Sequence, residues 1–343
     1  GKSIYLDKKE IHLALLMPYY LIRNDTMFND FENTSKISSI YYNSSEAALS
    51  FHIGVILALD SLRKKGKNIV LHTFDTNKDT VKTHKLVDSK ILDKMDIIIG
   101  PLYARNFNIL CKKYGNDKEK IIINPLSNIT KSVEEYKSVY HISPRVQDQS
   151  LLIKNRITNK YKNKRVILLY QSKNKENALY IKSLFRKENR NIKLFEIQYS
   201  HVDSLRNIFS PFQLVIIPSS NKAFVSKLLA SIGIMDSTSI VFGLDAWKRY
   251  DNLDIDNLME LDVHLPISNG FSNNRAHDKE FLRLFEKKYN TNQAKYTHIA
   301  YNIVMHFCSD FKTFQFKRVA GGGKVNIRAP LFHYKDYELV PVK

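Results

Sequence analysis

The sequence predicts an α/β chain built as two doubly wound lobes in tandem. Short β-type runs alternate with amphipathic helical stretches, the pattern of parallel strands joined by crossover helices. The alternation comes in two series, and the rhythm breaks over residues 127–143. The chain has 343 residues, which suits two units at about 150 residues per domain.

The first series opens with a strand over residues 11–19 and a long polar loop to Asn43. A helix over 44–65 follows, with Ser44 or Ser45 as its N-cap. Ala47, Ala48, Phe51, Val55, Ala58, Leu59 and Leu62 recur at helical spacing and form its buried face. Lys64-Lys65-Gly66 ends it with cations and a glycine. Strands 69–75, 96–100 and 121–124 then alternate with helices 80–93 and 104–114. The second series runs through helix 146–161, strand 165–171, helix 175–188, strands 192–199 and 213–218, helix 223–234 and strand 240–243. Helices 278–289 and 296–311 have no sheet of their own, so the chain is expected to cross back to the first lobe. The tail from Lys324 returns to β-type alternation. These readings place residues 1–138 and 264–323 in lobe one, and 139–263 and 324–343 in lobe two.

Composition narrows the function classes. Hydrophobic residues make up 43% and aromatics 11%, enough for real cores, which argues against wholesale disorder. No uninterrupted apolar run has the length of a membrane span. The chain opens Gly-Lys-Ser-Ile-Tyr without an apolar signal core, as expected of a cytosolic protein or one already stripped of its targeting segment. Cys111 and Cys308 sit in apolar helical patterns and read as two free buried thiols.

Catalytic signatures are missing. Gly321-Gly322-Gly323-Lys324 lacks the earlier glycine of a phosphate loop, where Arg318 stands, and the following Ser or Thr, where Val325 stands. It reads as a loop between elements. No G-x-G-x-x-G follows the first strand, and no G-x-S-x-G elbow is present. The eleven histidines show no zinc spacing, and His298 and His306 read as packing or surface residues. Asp75 and Asp245 each end a strand, but nothing pairs them as acid and base. The expectation is a non-enzymatic protein with no cofactor, no metal and no catalytic residue.

In open parallel sheets, ligands bind beyond the carboxyl ends of the strands. The segments there are aromatic, hydroxyl-bearing or amide-bearing, as in a binding cleft. They nominate Tyr19, Tyr103, Ser127, Asn128, Gln171, Ser219 and Asp245 as ligand contacts. Gly, Pro, Asn and Ser also dominate ordinary turns, which is the plainer account of some of these positions.

Residues 53–75, the Ile-Ile-Ile-Gly-Pro-Leu run at 97–102 and the Ile-Ile-Asn-Pro-Leu-Ser-Asn run at 122–128 resemble type I periplasmic binding proteins of the leucine-binding group. The chain resembles more closely an envelope branch in which this module follows peptidoglycan-binding LysM repeats. That likeness rests on the Gly-Pro-Leu-Tyr and Pro-Leu-Ser-Asn turns, Trp247, residues 256–263 and the closing Tyr-x-Asp-Tyr-x-Leu at 334–339. The resemblance implies two Rossmann-like lobes joined by three hinge crossings that close on a small polar, amino-acid-like ligand, for transport or sensing. It also implies a periplasmic or envelope location. In the amino-acid binders, hydroxyl donors after the third and fourth strands hold the carboxylate, and an acidic group in lobe two holds the ammonium. By that likeness Ser127 and Asp245 take these roles, whereas Leu102-Tyr103-Ala104 lacks the usual hydroxyl donors. The alternative is an envelope scaffold with a degenerate cleft, acting with a cell-wall or outer-membrane protein. A second copy of the chain is a further expected partner, and specific nucleic acid is not.

The chain carries 53 basic against 34 acidic residues, a net charge of +19. The lysines are scattered along the sequence amid much Asn and Ile, which reads as compositional drift rather than a selected basic face. Drift predicts that DNA and anionic vesicles bind weakly, and that co-sedimentation at low salt disappears at physiological salt through counterion competition. Tight binding that survives physiological salt would identify a selected basic surface.

Overall fold

The computed structural model describes residues 8–34, 41–127, 131–198, 205, 213–271 and 275–342. The first lobe begins with β1 (Ile11–Met17), α1 (Leu21–Thr34), α2 (Glu46–Arg63), β2 (Ile69–Asp75), α3 (Thr80–Asp88), β3 (Ile97–Ile99), α4 (Ala104–Tyr114), β4 (Ile121–Asn124), α5 (Lys131–Glu135) and β5 (Val139–His141). The second lobe follows with α6 (Val146–Lys160), β6 (Val166–Tyr170), α7 (Lys175–Arg186), β7 (Lys193–Glu196), β8 (Leu214–Ile216), α8 (Lys222–Met235), β9 (Ile240–Phe242), α9 (Ile255–Glu260) and β10 (His264–Pro266). The chain returns to the first lobe for α10 (Ala276–Tyr289), α11 (Thr297–Cys308), β11 (Phe316–Arg318) and β12 (Lys324–Asn326). It ends in the second lobe with β13 (Leu331–Lys335) and β14 (Glu338–Pro341).

Each lobe contains a seven-stranded sheet, ordered β11-β12-β5-β4-β3-β1-β2 in the first and β14-β13-β10-β9-β8-β6-β7 in the second. The five strands from β1 to β5 are parallel, with Leu15 level with Ile99 and Ile99 with Ile123. The strands from β6 to β10 repeat this arrangement, with Leu168 level with Ile216 and Ile216 with Phe242. Antiparallel strands flank each parallel set: β11 in the first lobe, β13 and β14 in the second. In both lobes the winding reverses beside the first strand, between β1 and β3 and between β6 and β8. These reversals are the topological switch points at which open sheets bind ligands.

The first unit comprises Gly1–Ser143 and Asn273–Asn326, and the second Pro144–Ser272 and Ile327–Lys343. Three boundaries differ from those read in the sequence, because a strand belongs with the sheet it pairs with. Val139 pairs with Ile122, which keeps β5 in the first lobe. Lys324 pairs with Tyr140, which keeps β12 there as well. His264 pairs with Phe242 and His333, which assigns β10 to the second lobe.

The segment read as a polar loop after the first strand contains α1. Its first turn is organised by Asp75, whose carboxylate accepts the N–H groups of Tyr20 at 3.2 Å and Leu21 at 3.0 Å. The anion that stabilises the start of the helix lies 54 residues away in sequence, beyond any local reading. At α2 the reverse holds. Ser45 precedes the helix, yet its hydroxyl donates back to the Tyr42 carbonyl and makes no cap bond.

Helix α2 is long and apolar enough, by composition alone, to cross a bilayer. It is nevertheless a core helix, with Ala48, Phe51, Val55, Ala58 and Leu62 fully buried. A Cβ at Gly54 would overlap the Thr297 carbonyl and lie 2.8 Å from the Ala300 methyl carbon. The backbones of α2 and α11 therefore approach closely, and Thr297 Oγ1 donates to the Ser50 carbonyl at 3.1 Å. The expected return of helix 296–311 to the first lobe is thus seen in its packing. Cys111 and Cys308 are free and buried, and burial pushes the Cys308 thiol up to about 12. Gly321–Gly323 lies in the turn between β11 and β12, where Val319 N–H donates to the Gly323 carbonyl at 2.9 Å.

His306 on α11 is buried among Phe307, Phe314 and Phe316. Its Nδ1 accepts N–H bonds from Thr313 at 3.1 Å and Phe314 at 3.2 Å. Burial, reinforced by the Lys312 charge, lowers its pKa to about 4. The unfolded chain takes up this proton near pH 6.5 and the folded chain only near 4, so stability falls as pH drops through that window. Up to about 3 kcal/mol is at stake, from roughly 1.4 kcal/mol per pH unit. Denaturant titrations from pH 7 to 4 should show a shallower loss for His306→Asn, and an unchanged slope would refute the assignment.

Candidate functional site

The first lobe gathers its candidate residues at the carboxyl ends of β1, β2 and β3, around the switch point. Asp75, at the end of β2, is the organiser. Besides Tyr20 and Leu21, its carboxylate accepts the N–H groups of Tyr19 at 2.9 Å and Asn77 at 3.1 Å, and Lys82 Nζ lies 3.4 Å away. This holds Tyr20 in the left-handed region at φ 54, a conformation that costs a non-glycine residue energy unless its surroundings impose it.

Tyr19 and Tyr20 consequently diverge in role. Tyr19 is buried, and its hydroxyl bonds to His52 Nδ1 at 2.8 Å. Burial and then the Asp75 charge push its phenol well above the ordinary range, while burial holds His52 below the usual histidine value. Tyr20 instead packs edge-on against Tyr42, with centroids 5.1 Å apart. Burial, then a hydrogen bond with Tyr103, push the Tyr20 hydroxyl up to about 12. Lys78 Nζ stands 4.8 Å over the Tyr103 ring, and Arg23 lies 5.0 Å over the Tyr42 ring while donating to its hydroxyl at 2.9 Å. A hydrogen bond with Ser44, aided by the Arg23 and Lys78 charges, holds the Tyr42 phenol below its ordinary value. Three tyrosines and two cations thus form one cluster at the switch point. Beside it, Thr76 Oγ1 and Asn77 Oδ1 are buried with no hydrogen-bond partner among the described residues.

Of the residues nominated from sequence in this lobe, Tyr103 belongs to the cluster. Ser127 lies at the end of β4, where its N–H donates to Asn124 Oδ1 at 3.3 Å. Asn128 falls outside the described residues. Tyr20, Tyr42, Lys78 and Arg23 were missed. The Pro-Tyr-Tyr turn marked Tyr20, but Tyr42, Lys78 and Arg23 arrive through tertiary contacts that have no sequence spacing.

In the second lobe, Gln171 and Ser219 flank the switch point between β6 and β8. Gln171 Oε1 is buried without a partner among the described residues. Ser219 is fully buried, its Oγ accepting from Asn221 N–H at 3.2 Å and its carbonyl from Trp247 Nε1 at 2.8 Å. Asp245 follows β9 and is almost wholly buried. Its Oδ1 accepts from Ser268 N–H at 3.3 Å and lies 3.0 Å from Lys248 Nζ, and Arg249 Nη1 lies 3.8 Å from Oδ2. Its own N–H donates to Gln149 Oε1 at 2.8 Å. The partners of its carboxylate come from its own chain.

Two further groups bring histidines and carboxylates together: Asp262, His264 and His333 in the second lobe, and His277, Asp278 and His298 in the first. Sequence reasoning found neither, because each draws on residues from two elements. The acid–histidine pairs at 262/264, separated by one residue, and at 277/278, adjacent, were the available signal.

No protein-family model matches the chain, and no curated protein matches it in sequence. Solved structures do. An ABC transporter substrate-binding protein from Desulfitobacterium hafniense, also solved in complex with Leu, is 12% identical, with 97% of this chain and 100% of that one covered and a TM-score of 0.65. The branched-chain amino acid binding protein LivJ from Streptococcus pneumoniae, in complex with isoleucine, is 15% identical, with 96% and 98% covered and a TM-score of 0.59. A solute-binding protein of an ABC transporter from R. palustris, in complex with benzoate, is 14% identical, with 97% and 95% covered and a TM-score of 0.57. At these identities the likeness concerns the fold, which is the two-lobed fold of type I periplasmic binding proteins. These neighbours are binding proteins.

The internal partners of Asp245 give a prediction. Asp245→Asn leaves Lys248 and Arg249 without their shared anion and should cost roughly 1.5–3 kcal/mol of stability, the scale of a charged hydrogen bond. Chemical denaturation measures this. A variant as stable as the parent would show that Asp245 is not a structural anchor.

Proposed function

We propose that the chain is a non-enzymatic, extracytoplasmic solute-binding protein that takes a small carboxylate-bearing ligand, for transport or sensing. The reading rests on the tyrosine–cation cluster at the first lobe's switch point, next to the unpartnered Thr76 and Asn77 oxygens. Buried polar atoms are normally satisfied by protein or ordered solvent, so unpartnered ones at a strand end suit a bound molecule. Lys78 and Arg23 supply positive charge for a carboxylate, and the rings supply a flat apolar wall.

Within this reading Tyr103 and Ser127 contact ligand at the first lobe's strand ends, joined by Tyr20, Tyr42 and Lys78, and Gln171 is the candidate contact of the second lobe. Tyr19, Ser219 and Asp245 hold the loops that present them, since their polar groups already bond internally. The fold neighbours include binders of leucine, isoleucine and benzoate. Three tyrosines and two cations favour an aromatic carboxylate over a zwitterionic amino acid. An envelope scaffold role, which the likeness to the LysM-linked branch implies, is the reading that survives if no solute binds.

Calorimetry with benzoate, 3,4-dihydroxybenzoate, leucine and isoleucine tests the proposal. Aromatic acids should bind, and Lys78→Ala should weaken them by roughly 1.5–3 kcal/mol through loss of a charge-assisted hydrogen bond. Tyr103→Ala should cost about 0.5–2 kcal/mol, the range for a ring facing a cation. Tighter binding of leucine than of benzoate would reverse the ligand class. Failure of every carboxylate would remove the solute-binding reading.

A further inference from the structure

We propose that Asp262, His264 and His333 form a binding site for one divalent transition-metal ion in the second lobe. His264 on β10 lies directly opposite His333 on β13 in antiparallel register. Their rings stand on one face, with centroids 5.2 Å apart. Asp262 lies in the turn two residues before His264, and its carboxylate reaches towards both rings. Each residue offers one ligand atom, and the three atoms lie within 4.8 Å of one another.

Asp262 Oδ1 lies 2.6 Å from His333 Nδ1 and 3.8 Å from His264 Nδ1, which in turn is 2.6 Å from the Asp262 carbonyl. Two imidazoles and a carboxylate suit zinc, cobalt, nickel or ferrous iron rather than calcium or magnesium, which prefer oxygen ligands. Zinc holds such donors at about 2.0–2.2 Å. The ion would replace the proton shared by Asp262 and His333, and the pair would separate slightly to admit it. Asp262 adopts φ 39, a conformation that the surrounding contacts must hold in place. Among the described residues, Arg156 and Tyr161, at the end of α6, are the other charged or titratable groups that act on the triad. Arg156 opposes a cation, whereas the carboxyl end of that helix favours one.

The triad is separate from the candidate solute site. His264 is level with Phe242 and Ile216, and Asp262 lies two residues further toward the strand starts. Ser219 and Asp245 lie three residues beyond Ile216 and Phe242 respectively, past the carboxyl ends, and Gln171 directly follows β6. The other histidine–carboxylate group offers a contrast. Asp278 there already holds Arg275, with Nε at 2.6 Å and Nη2 at 2.5 Å, so a metal would have to displace a guanidinium. Among the described residues no Lys or Arg pairs with Asp262.

The test is titration of the full chain, freed of metal by chelation, with zinc by calorimetry and with cobalt by visible absorption. One equivalent should bind, and zinc should raise the melting temperature, since an ion that binds only the native state stabilises it. His333→Gln and Asp262→Asn should each weaken zinc at least about tenfold, the lower bound seen even for loss of a supporting ligand partner. His333 is a quarter exposed, so its variant should fold, which circular dichroism can check. His277→Gln should bind zinc as the parent does. Absence of a stoichiometric site, or equal binding by the His333 and Asp262 variants, would overturn the proposal. So would a site lost only in His277→Gln.

Discussion

The first lobe's switch point depends on one buried carboxylate. Asp75 ends β2 and gathers the N–H groups of Tyr19, Tyr20, Leu21 and Asn77. Those bonds join the end of β1 to the start of α1 and to the turn after β2. They also set the backbone twist that sends Tyr19 toward His52 and Tyr20 toward Tyr42 and Tyr103. Without this anion, consecutive N–H groups at the sheet edge would point at one another with nothing to accept them. The aromatic and cationic cluster follows from meeting that requirement.

Asp245 plays a comparable part in the second lobe. It too follows a strand, is buried, and accepts backbone and cationic donors. Both carboxylates stand where a sequence reading looks for ligand-binding acids. A buried charge near a strand end must first be neutralised by its own chain. Among the described residues, Thr76 Oγ1, Asn77 Oδ1 and Gln171 Oε1 are buried polar atoms left over from that task.

This division explains what was legible in the sequence. The parallel βα series was, because β3, α4, β4 and α7 carry their apolar pattern locally. Helix α1 was not, since its stabilising anion is remote. Strands β5 and β10, with three paired residues each, were missed. At the strand ends, the sequence logic named Tyr103, which joins the aromatic cluster. It could not reach Tyr42 or Lys78, which are placed by tertiary contacts, nor foresee that Tyr19 and Asp245 bond inward. The triad of Asp262, His264 and His333 was hidden for the same reason, its third member arriving from an antiparallel strand about seventy residues on.

Amide hydrogen exchange of Asp75→Ala against the parent chain tests the central claim most directly. If Asp75 organises the switch point, the Tyr20, Leu21 and Asn77 amides should lose protection by about an order of magnitude, as expected when an N–H bond worth about 1.5 kcal/mol is removed. Amides of β6 and β8 in the second lobe should exchange as before. Unchanged protection at Tyr20, Leu21 and Asn77 would show that the turn is held by something else, and the cluster would no longer follow from that carboxylate.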